Sequence, residues 1–307
     1  MDSANAPELG AQEGIAVASG ILVIDKPQEW TSMDVCAKLR GIYHERRVGH
    51  AGTLDPMATG VLPVFLGRAT RAVEFAGEGD KEYLAGLRLG VTTNTQDTTG
   101  EILEQQCPAS REELEEALSA FRGELEQIPP MYSAVKIGGK KLYELARKGQ
   151  EVERKPRRVT IRCLEVLEGP SGPEKRDYLL RVRCSKGTYV RTLCHDIGQV
   201  LGCGGCMSAL RRTMAAGFTL KQAVTLEQVQ GAEDPAALLL PVDAYFSDRP
   251  KLTVTAPAEK KVRNGAAAPA PGVPEGEYRV YGQEGAFLAL GRVERGRLVT
   301  VKSFFAV

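Results

Sequence analysis

The sequence predicts an α+β fold with a small β-domain at its C-terminal end. Apolar or alternating segments, typical of strands, are interspersed with segments whose apolar residues recur every three or four positions, typical of helices. Residues 250–307 contain short alternating segments among prolines and glycines, and they show no long helical pattern. The 307 residues are 43% hydrophobic and 26% charged, which is ordinary for a globular protein of one or two domains.

The composition also excludes several classes of protein. No apolar run approaches the ~18 residues of a membrane span. Acidic residues near the N-terminus argue against a secretory signal, and we predict that residues 1–18 form a disordered leader. Seven cysteines, an odd number, indicate reduced thiols, so we expect a cytoplasmic protein.

The net charge of +1 conceals an uneven distribution of charged residues. Residues 78–127 hold 12 acidic and 4 basic side chains, whereas residues 136–212 hold 18 basic and 8 acidic ones. Such asymmetry is typical of a face that binds a polyanion, although a solvated basic surface without a partner has the same composition. Because phosphate contacts carry no sequence information, the charge predicts a nucleic acid and nothing finer.

The first predicted elements are a strand and a helix. Residues 20–24 form a short apolar run that ends in a turn, which is typical of a buried strand. The stretch from Thr31 to Asp34 is typical of a capped helix start, and we predict a helix of about ten residues after it. The apolar residues at helical spacing in this segment are Val35, Leu39 and Ile42.

Residues 46–68 are the most informative segment, because they hold four glycines and a single acid, Asp55. Gly49 and Gly52 allow the chain to bend sharply on both sides of His50. The proline after Asp55 favours an extended backbone at the acid. A lone carboxylate among cationic side chains should stay ionised, which suits a nucleophile or a charge stabiliser. The alternative is an ordinary turn whose Asp caps neighbouring amides.

The following segments predict the rest of the α+β domain. Residues 81–89 alternate as in a strand, which by itself makes Tyr83 a core aromatic. A capping box begins a scaffold helix at Ser110. Residues 159–167 and 178–184 are predicted as two antiparallel strands joined by a turn-rich connection.

A helix with an apolar stripe is predicted from residue 190 to 201, and Gly202 ends it. The pair Cys203 and Cys206 has the spacing of half a zinc site. Structural zinc needs four ligands, and the chain offers no second such pair and only three histidines. We therefore predict no metal site, and the glycines between the cysteines predict a tight turn from helix to strand.

Residues 50–60, His-Ala-Gly-Thr-Leu-Asp-Pro-Met-Ala-Thr-Gly, resemble the catalytic motif of the tRNA pseudouridine-55 synthases of the TruB type. Further blocks resemble the same family in the same order; they are residues 26–27, 80–83, 142–147, 184–192 and 210–212. The resemblance implies a pseudouridine-synthase-like fold: a mixed, largely antiparallel sheet flanked by helices, followed by a small β-barrel like the PUA RNA-binding domain. The domains it implies are residues 19–249, catalytic, and 250–307, RNA-binding.

The resemblance also implies a role for individual residues. Asp55 acts as a nucleophile or stabilises charge at the sugar carbon, Tyr83 assists proton transfer, and Arg191 pairs with the Asp55 carboxylate. Three other residues also have simpler interpretations. Lys26 is then an exposed lysine after a strand, Tyr189 a packed aromatic and Leu210 an ordinary core leucine. The residues implied in substrate binding are His50, Tyr83, Tyr189, Leu210 and Lys26.

The reaction implied by the resemblance is isomerisation of uridine to pseudouridine in the T-loop of tRNA, at tRNA position 55. The implied partner is the T-stem-loop, with no membrane, metal, nucleotide or other cofactor, and we expect a monomer. Two alternatives use the same residues without this chemistry. One is a non-catalytic RNA-binding protein or tRNA folding chaperone, and the other is a carboxylate-dependent hydrolase such as a nucleosidase.

Overall fold

A computed structural model of the chain describes residues 18–172 and 174–305, so the predicted leader lies outside the described residues except for Ala18. The elements in the first part of the chain are β1 (Gly20–Lys26), α1 (Ser32–Tyr43), β2 (Val48–His50), β3 (Thr59–Leu66), α2 (Val73–Ala76), β4 (Lys81–Leu89), β5 (Val91–Thr93), β6 (Ile102–Gln105), α3 (Arg111–Ala117) and β7 (Gly123–Gln127). Short 3-10 helices connect some of them.

The middle of the chain continues with β8 (Lys136–Ile137), β9 (Lys140–Lys141), α4 (Leu142–Ala146), β10 (Arg157–Ser171), β11 (Asp177–Cys184), α5 (Val190–Val200), β12 (Gly205–Ala215), β13 (Phe218–Thr219) and α6 (Leu226–Gly231). The C-terminal elements are β14 (Lys251–Thr253), α7 (Ala256–Arg263), β15 (Ala268–Pro269), β16 (Gly276–Tyr281), β17 (Phe287–Glu294) and β18 (Arg297–Ser303). Both strands and helices therefore occur along the described chain, as predicted.

A nine-stranded sheet forms the body of the protein. Its order is β1-β3-β12-β4-β11-β10-β7, with β2 paired to β3 and β13 paired to β12. Only the pair of β3 with β12 is parallel among the described strands of this sheet. The prediction of a mixed, largely antiparallel sheet is therefore confirmed.

The central strands approach each other closely where the Asp55 loop (residues 51–58) joins β3. Arg212 on β12 pairs with Gly60 of β3 on one side and with Tyr83 of β4 on the other. Gly60 has φ +99°, and a Cβ there would lie 2.2 Å from the Arg212 carbonyl oxygen. Glycine is thus required at this position, and the loop enters the sheet with only β12 between it and the strand of Tyr83.

Both predicted capping boxes are confirmed. The Thr31 hydroxyl accepts the Asp34 N–H at 3.1 Å, and the Asp34 carboxylate accepts the Thr31 N–H at 2.9 Å. Ser110 and Glu113 make the same reciprocal pair at the start of α3. Helix α1 has 12 residues, slightly more than predicted, because Tyr43 in its last turn is buried and extends the packed face.

Three expectations from the sequence were wrong. Gly49 does not bend the chain, because it lies in β2 and pairs with Phe65, whereas Gly52 has φ +84° as expected. The connection after residue 167 is not all turn, since β10 continues to Ser171 through irregular pairings. Helix α7 was not predicted, because its only buried residue is Val262 and no apolar stripe marks it.

The C-terminal residues form a separate five-stranded sheet in the order β14-β16-β17-β18-β15. One cluster of buried residues lies entirely within this C-terminal part of the chain. Leu290 and Phe304 instead belong to a second cluster, which includes Val61 and Phe65 of β3. The alternate residues of β3, such as Leu62, pack in the main core with α1. The C-terminal sheet therefore covers the reverse face of the strand that follows the Asp55 loop.

Candidate active site

Hydrogen bonds within the Asp55 loop and to the start of α1 hold the loop in place. The Ala58 N–H donates to the Asp55 carbonyl at 3.0 Å, which closes a turn with Pro56 inside it. At the start of α1, the Ser32 hydroxyl accepts the Leu54 N–H at 2.9 Å. These contacts leave the Asp55 carboxylate 40% exposed at the surface of a cleft.

The carboxylate of Asp55 is paired with a buried guanidinium. Arg191 Nε lies 3.1 Å from Asp55 Oδ2, and the Arg191 side chain is only 7% exposed. In the described part of the chain, no backbone N–H donates to this carboxylate, so it does not cap its own turn. The ion pair expected from the sequence is present, and it orients the acid toward the cleft.

A second carboxylate, which sequence reasoning missed, lies on the other side of Arg191. Asp97 Oδ2 is 3.4 Å from Arg191 Nη1, and the Asp97 side chain is 6% exposed. Asp97 Oδ1 accepts hydrogen bonds from the Thr95 hydroxyl at 2.8 Å and from the Thr99 N–H at 3.0 Å. Arg191 is thus held between two acids, and the inner one is itself fixed by a turn of threonines.

Two cavities meet at the pair of Asp55 and Arg191. The first, of about 270 Å³, is lined by five of the predicted site residues. They are Asp55, Tyr83, Tyr189, Arg191 and Leu210. The second cavity, of about 470 Å³, shares Asp55 and Arg191 and includes Tyr132, Tyr143 and Arg147. The reacting groups predicted from separate blocks of sequence therefore lie around one space.

Tyr83 projects from β4 into the first cavity and is 6% exposed. Burial raises the pKa of its hydroxyl, and the nearby positive charge of Arg212 acts in the opposite direction. The raised pKa keeps the phenol protonated at neutral pH. In this form it can both donate and accept a proton at the edge of the cavity.

Arg212 is fully buried beneath the Asp55 loop, and the sequence analysis did not single it out. Its Nε donates to the Val61 carbonyl at 2.7 Å, and its Nη2 donates to the Gly52 carbonyl at 3.0 Å. Among the described residues no acid forms a salt bridge with it, and its guanidinium lies close to the Tyr83 hydroxyl. In the sequence, the one sign of its burial is its position in a strand pattern, with an apolar residue two positions before it and another two positions after it.

Two predicted substrate-binding residues lie outside the linings of both cavities. Lys26 is fully buried, because its Nζ donates to the carbonyls of Pro27 at 2.8 Å, Trp30 at 2.6 Å and Pro56 at 3.3 Å. Burial lowers the pKa of Lys26 to about 8, with Asp55 acting in the opposite direction. Lys26 thus supports the Asp55 loop, as the resemblance suggests, and its part in substrate binding stays a prediction.

His50 lies in β2, and its ring nitrogen Nδ1 is buried without a hydrogen-bond partner. Burial lowers the pKa of His50, and the positive charge of Arg212 lowers it further. The imidazole is consequently neutral at physiological pH. A neutral ring beside the loop can pack against a base, but it does not supply a charge.

The remaining features concern the cysteine pair, possible metal ligands and possible membrane spans. Cys203 is buried in the turn between α5 and β12, where the glycines predicted a turn, and Cys206 is buried in β12. Across the described ranges, no group of three or more side chains is arranged to hold a metal ion. In the same ranges, none of the helices is long and apolar enough to cross a membrane.

Comparison with known proteins adds two family matches. The model described as "TruB family pseudouridylate synthase (N terminal domain)" matches residues 40–190, and "tRNA pseudouridylate synthase B C-terminal domain" matches residues 191–247. The tRNA pseudouridine synthase B of Alkaliphilus oremlandii is 50% identical over 248 residues, which cover 80% of this chain and 82% of the relative. That of Stutzerimonas stutzeri is 45% identical over 289 residues, covering 91% and 93%.

The fold is also similar to that of a solved assembly, an H/ACA RNP bound to a substrate RNA containing 2'-deoxyuridine. The match has a TM-score of 0.70 and 26% sequence identity, and it covers 94% of this chain and 86% of the other. It therefore includes both the nine-stranded sheet and the C-terminal sheet.

Proposed function

The chain belongs to the TruB family of pseudouridylate synthases, and we propose that it isomerises a uridine in the T-loop of tRNA, at tRNA position 55. The glycosidic bond breaks, the uracil turns, and a carbon–carbon bond forms to the same sugar. No group enters or leaves overall, and the oxidation state does not change. The observation that carries this proposal is the meeting of Asp55, Tyr83 and Arg191 in one cavity.

Asp55 supplies the negative charge of the reaction. Its carboxylate is exposed to the cavity on one side and held by Arg191 on the other, so it approaches a ribose in a fixed orientation. There it attacks the sugar carbon or stabilises the positive charge that develops when the base departs. Arg191 binds the Asp55 carboxylate, and Asp97 holds the guanidinium in place by a second ion pair.

Tyr83 supplies the aromatic face and the hydroxyl of the reaction pocket. A base stacked on such a ring gains ~1–3 kcal/mol, which offsets part of the few kcal/mol needed to take a nucleotide out of its stack. Its neutral hydroxyl is able to move a proton during the transfer of the base. Leu210 and Tyr189 complete the lining around the same space.

The partner we propose is the T-stem-loop of tRNA, bound by a single copy of the chain in the cytoplasm. The curated relatives are named for tRNA, and residues 136–212 carry the excess of basic side chains expected for phosphate contacts. The C-terminal sheet, which we propose to be PUA-like, would extend this RNA surface. The division at residue 250 agrees with the start of that separate sheet.

The substitution Asp55→Asn tests the proposal. We expect tRNA binding to remain largely intact while pseudouridine formation falls below detection, because an amide is neutral and a poor nucleophile. Pseudouridine-specific chemical sequencing of the tRNA measures the product, and the exposed Asp248→Asn variant is the matched control. Retained turnover in Asp55→Asn would exclude the mechanism.

The same reaction mixtures separate the two alternatives. A nucleosidase releases free uracil, which chromatography detects, whereas an isomerase leaves the RNA intact with one rearranged nucleoside. A non-catalytic RNA-binding protein gives neither product while still shifting tRNA in a binding assay.

A further inference from the structure

Gln127, the last residue of β7, holds the backbone of Tyr189 with both ends of its side-chain amide. Gln127 Oε1 accepts the Tyr189 N–H at 2.7 Å, and Gln127 Nε2 donates to the Tyr189 carbonyl at 3.0 Å. The Gln127 side chain is buried, with 5% exposure. A buried amide that meets one donor and one acceptor with matching geometry fixes the segment it touches.

The segment held in this way begins helix α5. Tyr189 is the residue before the helix, and it offers no side-chain cap to the first turn. Its carbonyl accepts the Leu193 N–H at 3.0 Å as well as the Gln127 amide. Arg191, the partner of Asp55, follows two residues later in that same turn. The position of the guanidinium therefore depends on a turn whose start is fixed by Gln127.

A second contact joins the same two stretches of chain. Arg191 Nη2 donates to the Tyr132 carbonyl at 2.8 Å, five residues beyond Gln127. The stretch from residue 127 to 132 is thus attached to the beginning of α5 at two points. The basic segment (residues 128–156) starts within this stretch, and Tyr132 and Ser133 line the second cavity.

We propose that Gln127 is a positioning residue for the reaction: through Tyr189 it sets the first turn of α5, so that Arg191 presents the Asp55 carboxylate to the sugar. The proposal rests on the proposed function of the same site. The side-chain hydrogen bonds of Gln127 go to Tyr189 and not to Asp55, and Gln127 lines neither cavity. Its effect should therefore appear in the chemical step rather than in RNA binding.

Two substitutions of Gln127 test this assignment. Gln127→Met removes both hydrogen bonds at similar volume, and we expect kcat to fall about tenfold or more at every pH, with KM for the RNA nearly unchanged. Gln127→Glu keeps one acceptor, but its charged form opposes the Tyr189 carbonyl. When protonated, the introduced carboxyl group again has one donor and one acceptor, so kcat should recover as the pH falls from about 8 to about 6.

The control variant is Gln199→Glu, which adds the same charge at an exposed position near the end of α5. Its kcat should follow the wild-type pH profile. A Gln127→Glu variant whose kcat stays in constant ratio to wild type across this range overturns the proposal, as does wild-type kcat in Gln127→Met. Thermal unfolding of each variant identifies loss of folding, in which case the pH recovery of Gln127→Glu decides.

Hydrogen exchange gives a readout that does not require turnover. The Tyr189 amide should exchange faster in Gln127→Met than in the wild-type protein, and unchanged exchange contradicts the contact on which the proposal depends. An inactive wild-type protein with a protected Tyr189 amide would instead refute the proposed function and leave the positional contact established.

Discussion

The Asp55 loop and the basic segment both contact Arg191, but the fold holds them very differently. The loop is attached to buried side chains beneath it, since Lys26, Ser32 and Arg212 each bind its backbone. The described elements of the basic segment are two strands of two residues and one helix of five. The comparison indicates that the fold holds Asp55 firmly, whereas the adjoining basic surface is only lightly held.

The glycines in the two regions show the same contrast. Gly52 and Gly138 both have positive φ, +84° and +58°. A Cβ added at Gly52 would lie 3.2 Å from Lys81 Cε and 3.3 Å from Arg212 Nη1, while one added at Gly138 would meet nothing within 4 Å. The loop is therefore closely packed at Gly52, whereas the surroundings of Gly138 in the basic segment are open.

The largest effect is expected from removing a single oxygen atom, that of the Tyr83 hydroxyl. Tyr83→Phe keeps the ring for stacking but loses the hydroxyl, and we expect kcat to fall by about 10²- to 10⁴-fold with little change in RNA affinity. Steady-state pseudouridine formation at saturating RNA measures kcat. The control is Tyr143→Phe, on the second cavity, which should change kcat by less than about threefold. Equal activity of Tyr83→Phe and wild type would leave Tyr83 with packing alone.

The second prediction compares how much two lysines contribute to stability, one that binds the Asp55 loop and one in the basic segment. Lys26→Met removes the donor that the Pro27 and Trp30 carbonyls share, while the Pro56 carbonyl keeps the Glu29 N–H, and we expect the free energy of unfolding to fall by about 3 kcal/mol. Lys140→Met, exposed in the basic segment, should change it by less than about 0.5 kcal/mol. Urea unfolding measures both. Similar losses from the two variants would remove the distinction between the fixed and the lightly held region.

A pair of alanine substitutions sharpens the contrast. Gly138→Ala pays only the left-handed backbone penalty, about 1 kcal/mol, because its surroundings are open. Gly52→Ala adds crowding against Arg212, whose guanidinium is held by two carbonyls, and we expect a loss of about 2 kcal/mol. Thermal unfolding gives the two values. An equal cost at both positions would show that the loop yields as easily as the basic segment.

The smallest effect is expected on kcat, from a substitution of Asp97, the buried carboxylate that pairs with Arg191. Asp97→Asn keeps the acceptor for the threonine turn but turns an uncharged amide toward Arg191. We expect kcat to fall about tenfold, with RNA binding unchanged, since Arg191 retains only one acidic partner. Asp196→Asn, on α5 but outside both cavities, is the control. Full activity of Asp97→Asn would mean that Asp55 and the backbone carbonyls of Thr95 and Tyr132 hold the guanidinium without a second acid.

Local patterns predicted the fold better than they predicted the support of the site. The capping boxes at Thr31 and Ser110 and the strand holding Tyr83 follow from residues close together in sequence, and all three are present. Helix α7 was missed because one buried valine produces no stripe. The sequence motifs also brought Asp55, Tyr83 and Arg191 to one cavity, although their chemical roles stay predictions.

The missed residues depend on contacts between distant parts of the chain. Arg212 on β12 is buried because β3 and β4 flank it, and no local pattern shows that its partners are the Gly52 and Val61 carbonyls. Asp97 resembles any acid in a polar turn until the fold places Arg191 beside it. Lys26 looked like an exposed lysine after a strand, since backbone acceptors leave no trace in the identity of the residues that carry them.

The shared aromatic packing between the two sheets limits what truncation can reveal. Phe304 and Phe287 stack on each other and lie within 6.3 Å, between ring centroids, of Phe246, in the cluster that also contains Phe65 on the reverse of β3. Removing residues 250–307 would expose this cluster to water and loosen the strand that leads out of the Asp55 loop. A shortened chain would thus lose activity even if its missing end never met RNA, and surface substitutions on that end are the cleaner probe.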